Sequence, residues 1–396
     1  MKRTYNTISA IFLLLALIVS MVACSAPASS TETADTVVSA AASDDSTSSD
    51  KTAVPDSKTA DEAESYTVTD VFGREVEIPN EVQSVVALGS AARLMCYMDA
   101  TEKLVGVTAM DLDPNAAKPY SYIYADRLAN AAELATGGSN DTDYTEAFVA
   151  TNTDVIFYFD SDTAAMDDLA QKTGLAVVGV YAENWYSEDT FYASLELIGK
   201  ICGKEDRASE LISALKGWKE ELNTMSANVA DADKPTVYAG AVSWSGAHGI
   251  EGTYGQYPPF VAVNAKNVVD ETGAEAFVEI DREQIAAWDP DYIFLTTSNM
   301  DIVNEDYAQN PDFYNSLSAV KNGNVYSQVS FNYYWTNQEL AVVNAFYVAS
   351  VLYPDAFSDV NFAAKADEIF NTMLGSSFLD TLESNGMFFG PIEIGK

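Results

Sequence analysis

Across residues 204–225 the apolar side chains Ala208, Leu211, Ile212, Leu215, Trp218, Leu222 and Met225 recur at steps of three and four. That period predicts one helix with a single apolar stripe. Gly203 stands before it, and Glu205 and Asp206 lie in the first turn, where the helix dipole favours negative charge. At 1.5 Å per residue it spans about 33 Å, the width of a small domain. On both sides the pattern changes to short, near-continuous apolar runs. Before the helix they occupy 85–89, 104–108, 155–159 and 175–180; after it, 236–240, 266–270, 292–295 and 324–329. Runs of this length between helical segments predict strands of a mainly parallel sheet covered on both faces. A hairpin is expected over 67–79, turning near Asp70 and Gly73. A helix is expected over 187–202, and amphipathic helices over 339–352 (stopped by Pro354) and 362–374.

One signature occurs twice. Glu146 and Asp154 bracket a short helix that runs into an apolar strand, and Glu283 and Asp291 do the same at an equal spacing in the other half. Helix-then-strand is common in any α/β chain, so the repeat by itself is compatible with two related lobes or with coincidence. A long helix between two such halves suggests a stiff strut with a cleft beside it.

Composition narrows the function classes. The 396 residues are 48% hydrophobic, ample for two cored domains, and 59 acidic against 21 basic residues leave a formal net charge of −38. A surface that acidic repels phosphate backbones, so nucleic acid is excluded as a partner. The three cysteines cannot build a disulfide framework; Cys96 and Cys202 sit in apolar helical contexts as small buried residues, with one bridge between them left open. Lys2 and Arg3, the apolar run 8–22 and then Met21-Val22-Ala23-Cys24 resemble a bacterial lipoprotein signal cleaved before Cys24, whose thiol would carry the lipid; a membrane-spanning anchor is the alternative. Residues 25–65 are Ser-, Thr-, Ala- and Asp-rich, a composition that buries no core and reads as a flexible acidic tether. The sequence contains no Gly-x-Ser-x-Gly elbow and no His-Glu-x-x-His, and an enzyme is not expected.

Laid out in order, residues 66–375 resemble the substrate-binding lipoproteins of ABC importers for iron–siderophore complexes, haem and cobalamin. The resemblance is carried by the opening Asp70-Val-Phe-Gly-Arg-Glu-Val-Glu-Ile-Pro79, by 197–208 ahead of and into the long helix, and by 280–285, 289–294 and 317–326 in the second half. It implies two α/β lobes with mainly parallel sheets joined by a single long interdomain helix, the class III periplasmic-binding architecture. The divisions are then a signal peptide 1–23, a tether 24–65, a first lobe 66–203, the linker helix 204–225 and a second lobe 226–396. It also implies that Glu146 and Glu283, matching one glutamate per lobe in that family, dock on basic pockets of a permease dimer that works with its ATPase. The plain alternative is that each Glu merely suits a helix start. A monomer tethered by lipid to the outer face of the cytoplasmic membrane is expected.

Open α/β sheets bind ligands at the carboxyl ends of their strands. In the first half this selects Ser90 and Arg93 after the first strand, Tyr158 and Asp160 at the third, and Trp185 and Tyr186 after the fourth. Ser90 can cap the helix that follows it, and Arg93 offers an anionic solute a planar donor fork, or is a surface arginine. In the second half a loop carries Trp244, His248, Tyr254 and Tyr257, and five glycines from Gly240 to Gly255 let backbone approach a solute. His248 is the chain's sole histidine, so a bare transition-metal site, which needs several converging ligands, is disfavoured, and His248 serves either as a solute contact or as a structural hydrogen-bonder. Tyr333 and Trp335 form a second aromatic group, with core packing as the alternative. So many rings favour a large, partly flat solute such as a ferric chelate, haem or a corrinoid, with a small oxyanion such as molybdate open through Arg93. No resident cofactor is expected.

Overall fold

Two sheets of like build flank one long helix. The computed structural model describes residues 65–137, 145–186 and 188–396; the leader, Cys24 and the tether lie outside these, and so does the Glu146 side chain. Strands β1 (Ser65–Thr69) and β2 (Glu75–Pro79) form the expected antiparallel hairpin, whose turn is fastened by Asp70 accepting from the Phe72 and Arg74 N–H groups. Then come β3 (Val85–Leu88), β4 (Leu104–Thr108), β5 (Ala132–Ala135), β6 (Val155–Phe159) and β7 (Ala176–Val180), all parallel in the order β5-β4-β3-β6-β7. β3 and β6 are buried along their whole length, as their unbroken apolar sequences require. In the second half β8 (Thr236–Gly240), β10 (Lys266–Asn267), β12 (Tyr292–Thr296) and β13 (Val325–Gln328) make a parallel sheet ordered β10-β8-β12-β13, while β9 (Gly252–Tyr254) and β11 (Phe277–Glu279) pair antiparallel beside it.

Two expectations need correction, and the open question of a Cys96–Cys202 bridge is answered. The run 266–270 is strand for two residues only and then turns as a 3-10 helix, because Asn267 caps the turn by accepting from Val269 N–H. The helix Gln338–Leu352 is not amphipathic: it is buried on nearly every side, being the central helix that the linker helix, Phe362–Leu374 and Pro258–Ala262 all cover. Its polar Asn344 is accommodated by accepting from Val329 N–H and donating to Val329 O and Leu340 O. Cys96 and Cys202 are buried and unbridged, and burial pushes the Cys202 thiol up to about 12.

The repeated signature is a structural repeat in detail. In the first half Asn152 adopts a left-handed conformation (φ 50°), Asp154 accepts from Gln83 and Ser84 N–H, and its own N–H donates to Ser84 Oγ. In the second, Asp289 is left-handed (φ 42°), Asp291 accepts from Thr236 N–H and Oγ1–H, and its own N–H donates to Thr236 Oγ1. Each aspartate thus staples the start of its strand to the start of the first parallel strand of its lobe. Burial raises the Asp154 pKa, but the Gln83 and Ser84 donors outweigh it and leave the carboxyl below its usual range. A lowered carboxyl contributes stability that is complete above its unfolded value, near 4, and lost as pH falls through the lowered value. Asp154→Asn should therefore lose less stability than the parent on acidification from pH 5 to 3 in urea titrations; equal losses would remove this role.

The linker helix runs unbroken from Glu205 to Ser226. Its stripe of Leu211, Leu215, Trp218 and Leu222 is buried, while Met225, where the stripe runs out, is half-buried. Polar groups on its flanks reach both lobes: Arg207 donates to Tyr97 O (2.9 Å) in the first and Thr372 O (2.6 Å) in the second, and Trp218 Nε1 donates to Glu368 (2.9 Å). A helix fastened to both lobes resists bending, so solute should change the radius of gyration by no more than about 1 Å in small-angle scattering. A larger compaction would contradict this.

Candidate functional site

The carboxyl ends of both sheets meet at a seam, and the segment 330–337 of the second lobe fills its middle. In the first sheet the strand order reverses between β3 and β6, the position where such sheets bind ligands. Gly89 at the end of β3 has φ +60°, and a Cβ there would lie 2.2 Å from Phe159 O, so only glycine lets the two strand ends close up. Into this point the second lobe inserts Tyr334, whose hydroxyl donates to Gly89 O and sits 2.9 Å from Thr108 Oγ1. Tyr334 and Trp335 are consecutive left-handed residues (φ 54° and 64°), a backbone that non-glycine residues adopt only when their surroundings hold it.

Arg93 is the clamp. Its Nη1 donates to Thr336 O (3.0 Å) and Ser90 Oγ (2.6 Å), its Nη2 to Tyr334 O and Tyr333 O, and its guanidinium lies 4.8 Å over the Tyr120 ring. It is 1% exposed. The expectation of a donor fork free for an anion, or of a surface arginine, is therefore corrected: four donor positions are spent on the chain's own oxygens, because three carbonyls of the left-handed turn face the first lobe. Ser90 stands at the helix start without capping it, since its hydroxyl accepts from Arg93 instead. Beside the clamp Tyr97 donates to Glu339 across the seam while accepting from Gln338 N–H, and Asp111 accepts from Tyr120 (2.7 Å) and Thr108 (2.7 Å). Burial pushes both the Asp111 and Glu339 carboxyls up. Lys118, also fully buried, donates to Met110 O and lies 3.6 Å from Asp113; burial lowers its pKa.

The remaining candidates divide by exposure. Tyr333 (41%), Trp335 (40%) and Trp244 (49%) present rings to solvent along the seam, and Tyr254 is half-exposed beside Trp244 at 5.9 Å. Trp335 lies against Phe159 (5.4 Å) and Tyr181 (6.2 Å) of the first lobe. Trp185, Tyr158 and Tyr257 are buried, which corrects their expected role as solute contacts in this conformation. Tyr158 packs among Phe148, Met166 and Leu169, and Tyr257 donates to Gln328 (3.0 Å) inside the second lobe. His248 braces its loop: Nε2 meets Trp244 O (2.8 Å) and Nδ1 meets Glu279 (3.1 Å), with the ring 4.6 Å from Phe277. Two of the loop glycines are required by the fold: a Cβ on Gly252 would lie 2.4 Å from the His248 Cβ, and one on Gly255 would lie 1.9 Å from Ala274 O. Among the described residues no group of His, Cys, Asp and Glu is placed to hold a metal ion. Sequence reading missed Tyr181 and the Tyr97–Glu339 pair, and gave Tyr334 no role apart from its neighbours; the one signal was position, Tyr181 following the last strand of its sheet.

Residues 85–328 match the family described as Periplasmic binding protein. The uncharacterized ABC transporter substrate-binding lipoprotein YvrC of Bacillus subtilis is 23% identical over 311 residues, which cover 77% of this chain and 91% of YvrC. A periplasmic solute binding protein from Veillonella parvula has the same fold at a TM-score of 0.66 and 19% identity, covering 82% of this chain and 97% of its own. The Haemophilus influenzae molybdate-binding protein MolA, solved with molybdate bound, follows at 0.62 and 21%, covering 79% and 98%. With two parallel-sheet lobes, one linking helix and a family match over most of the folded chain, this protein belongs to the periplasmic binding protein family.

Proposed function

We propose that the chain captures an iron–siderophore-type chelate at the seam between its lobes and delivers it to the permease. What supports this reading is the row of exposed rings, Trp244, Tyr333 and Trp335, at the carboxyl ends of both sheets. Large aromatics left in water at that place offer flat apolar contact to a bulky solute. Cobalamin or haem would use the same rings. A small oxyanion such as molybdate is the weaker reading, because Arg93 is committed to Tyr334 O and Thr336 O. Equilibrium titration of the full chain with ferric chelates, haem, cobalamin and molybdate tests the choice. Tight binding of molybdate with none of the large solutes would reverse it.

Delivery rests on two carboxylates. Glu283 is exposed in the first turn of the helix Arg282–Trp288, whose start Asp281 caps by accepting from Gln284 N–H. Its counterpart Glu146 occupies the matching position in the helix Thr145–Phe148. In this reading each meets a basic pocket of one permease subunit, lipidated Cys24 holds a monomer at the outer face of the membrane, and the acidic tether gives it reach. A sensory or adhesive lipoprotein is the alternative, and loss of solute uptake on deleting the gene separates the two.

A further inference from the structure

The seam is also selective for charge, and this inference rests on the solute lying there. The cations set into it are already used: Arg93 by the carbonyls of 333–336, and Lys118 by Met110 O and Asp113 beneath the Tyr333 and Tyr334 rings. Both are buried; of the Arg93 donors only Nε–H is without a partner, and it is shut away from solvent. Among the described residues no Lys or Arg stands over the Trp244, Tyr254 or Trp335 ring. What borders the rings is negative. Asp160 follows Phe159, which packs on Trp335, and exposed Glu183 follows Tyr181, which packs on the same indole. Glu183 also reaches the second lobe: after burial, its charge helps push the Tyr254 phenol up to about 12. Neither Asp160 nor Glu183 makes an ion pair among the described residues. Across the seam Glu279 stands 3.1 Å from His248, which holds the Trp244 carbonyl.

Aromatic faces attract cations through their quadrupole, and nearby carboxylates that no Lys or Arg neutralises add a field of the same sense. We infer that the solute is received as a cation, a chelate of net positive charge whose charged group lies on the Trp244–Trp335 rings beside Glu183, and that trianionic catecholate chelates are rejected.

Three ferric complexes test this by calorimetric titration of the full chain: ferrioxamine B, a monocation; ferrichrome, neutral; and ferric enterobactin, a trianion. The cation should bind at least about tenfold more tightly than the trianion at low salt, with the gap narrowing at 0.5 M salt as screening shortens the field. Glu183→Gln, at an exposed position that carries no packing, should weaken ferrioxamine B about threefold to fivefold, and Glu183→Asp should keep the preference. Equal or tighter binding of ferric enterobactin overturns the charge inference and leaves the chelate reading intact. Failure of all three to bind overturns the chelate reading, and the inference with it.

Discussion

Replacing Glu146 and Glu283 together by alanine is expected to abolish uptake while leaving solute affinity within about twofold of the parent. Glu283 is exposed on a capped helix and, among the described residues, makes no hydrogen bond or ion pair to Arg93, Trp244, Tyr334 or Trp335, so its removal leaves the Arg93 clamp and those rings with their partners. Its only local service is to the dipole of its own helix, worth about 0.5 kcal/mol at an exposed site. A structural role alone would therefore give a slightly less stable protein that still transports. Two carboxylates meeting basic pockets also act as one readout, because a permease that grips both ends registers that both lobes are in place. Each single variant should keep partial transport, and the pair should lose nearly all of it. Normal uptake by cells carrying the double variant would end the docking assignment.

Arg93→Ala should have the largest effect on stability, about 3 kcal/mol, because it strips four hydrogen bonds from a fully buried cation and leaves the carbonyls of Tyr334 and Thr336 facing the first lobe without donors. The thermal midpoint should fall by roughly 5 °C. Affinity should fall with it, since Tyr334 and Trp335 hold left-handed backbone only while the clamp fixes their carbonyls. Arg93→Lys should recover little, as one ammonium cannot span the oxygens that a planar guanidinium reaches. An Arg93→Ala protein with unchanged midpoint and unchanged affinity would show that the clamp is incidental.

These two cases show what sequence makes legible. The linker helix and the long apolar strands announced themselves because period and length are local properties, and the Glu-to-Asp repeat marked two helix-to-strand segments whose staples at Asp154 and Asp291 only the structure reveals. β5 (Ala132–Ala135) escaped, being four residues whose only large apolar side chain is Leu134 with Glu133 beside it, and its place is set by the neighbouring β4. So did β9, inside the glycine-rich loop, and β11 further along, which hold each other as a two-stranded pair. At the site, sequence singled out the strand-end loops and the tryptophans at 244 and 335. It misassigned Arg93 because nothing local tells an arginine that three carbonyls, some 240 residues away, will close over it. Tyr158, Trp185 and Tyr257 were placed by strand ends alone, which fixes where a residue stands but not which face of its sheet or loop it fills.

Intrinsic fluorescence reads the seam directly. Of the five tryptophans, Trp185 and Trp218 are buried and Trp288 is half-buried near Glu283, whereas Trp244 and Trp335 stand open at the seam. A solute lodged between the lobes should quench the emission of the parent chain, and the quenching should nearly vanish in the Trp244→Phe, Trp335→Phe double variant while calorimetry still detects binding. Quenching that persists undiminished in that variant would place the solute elsewhere and contradict the seam as the binding site.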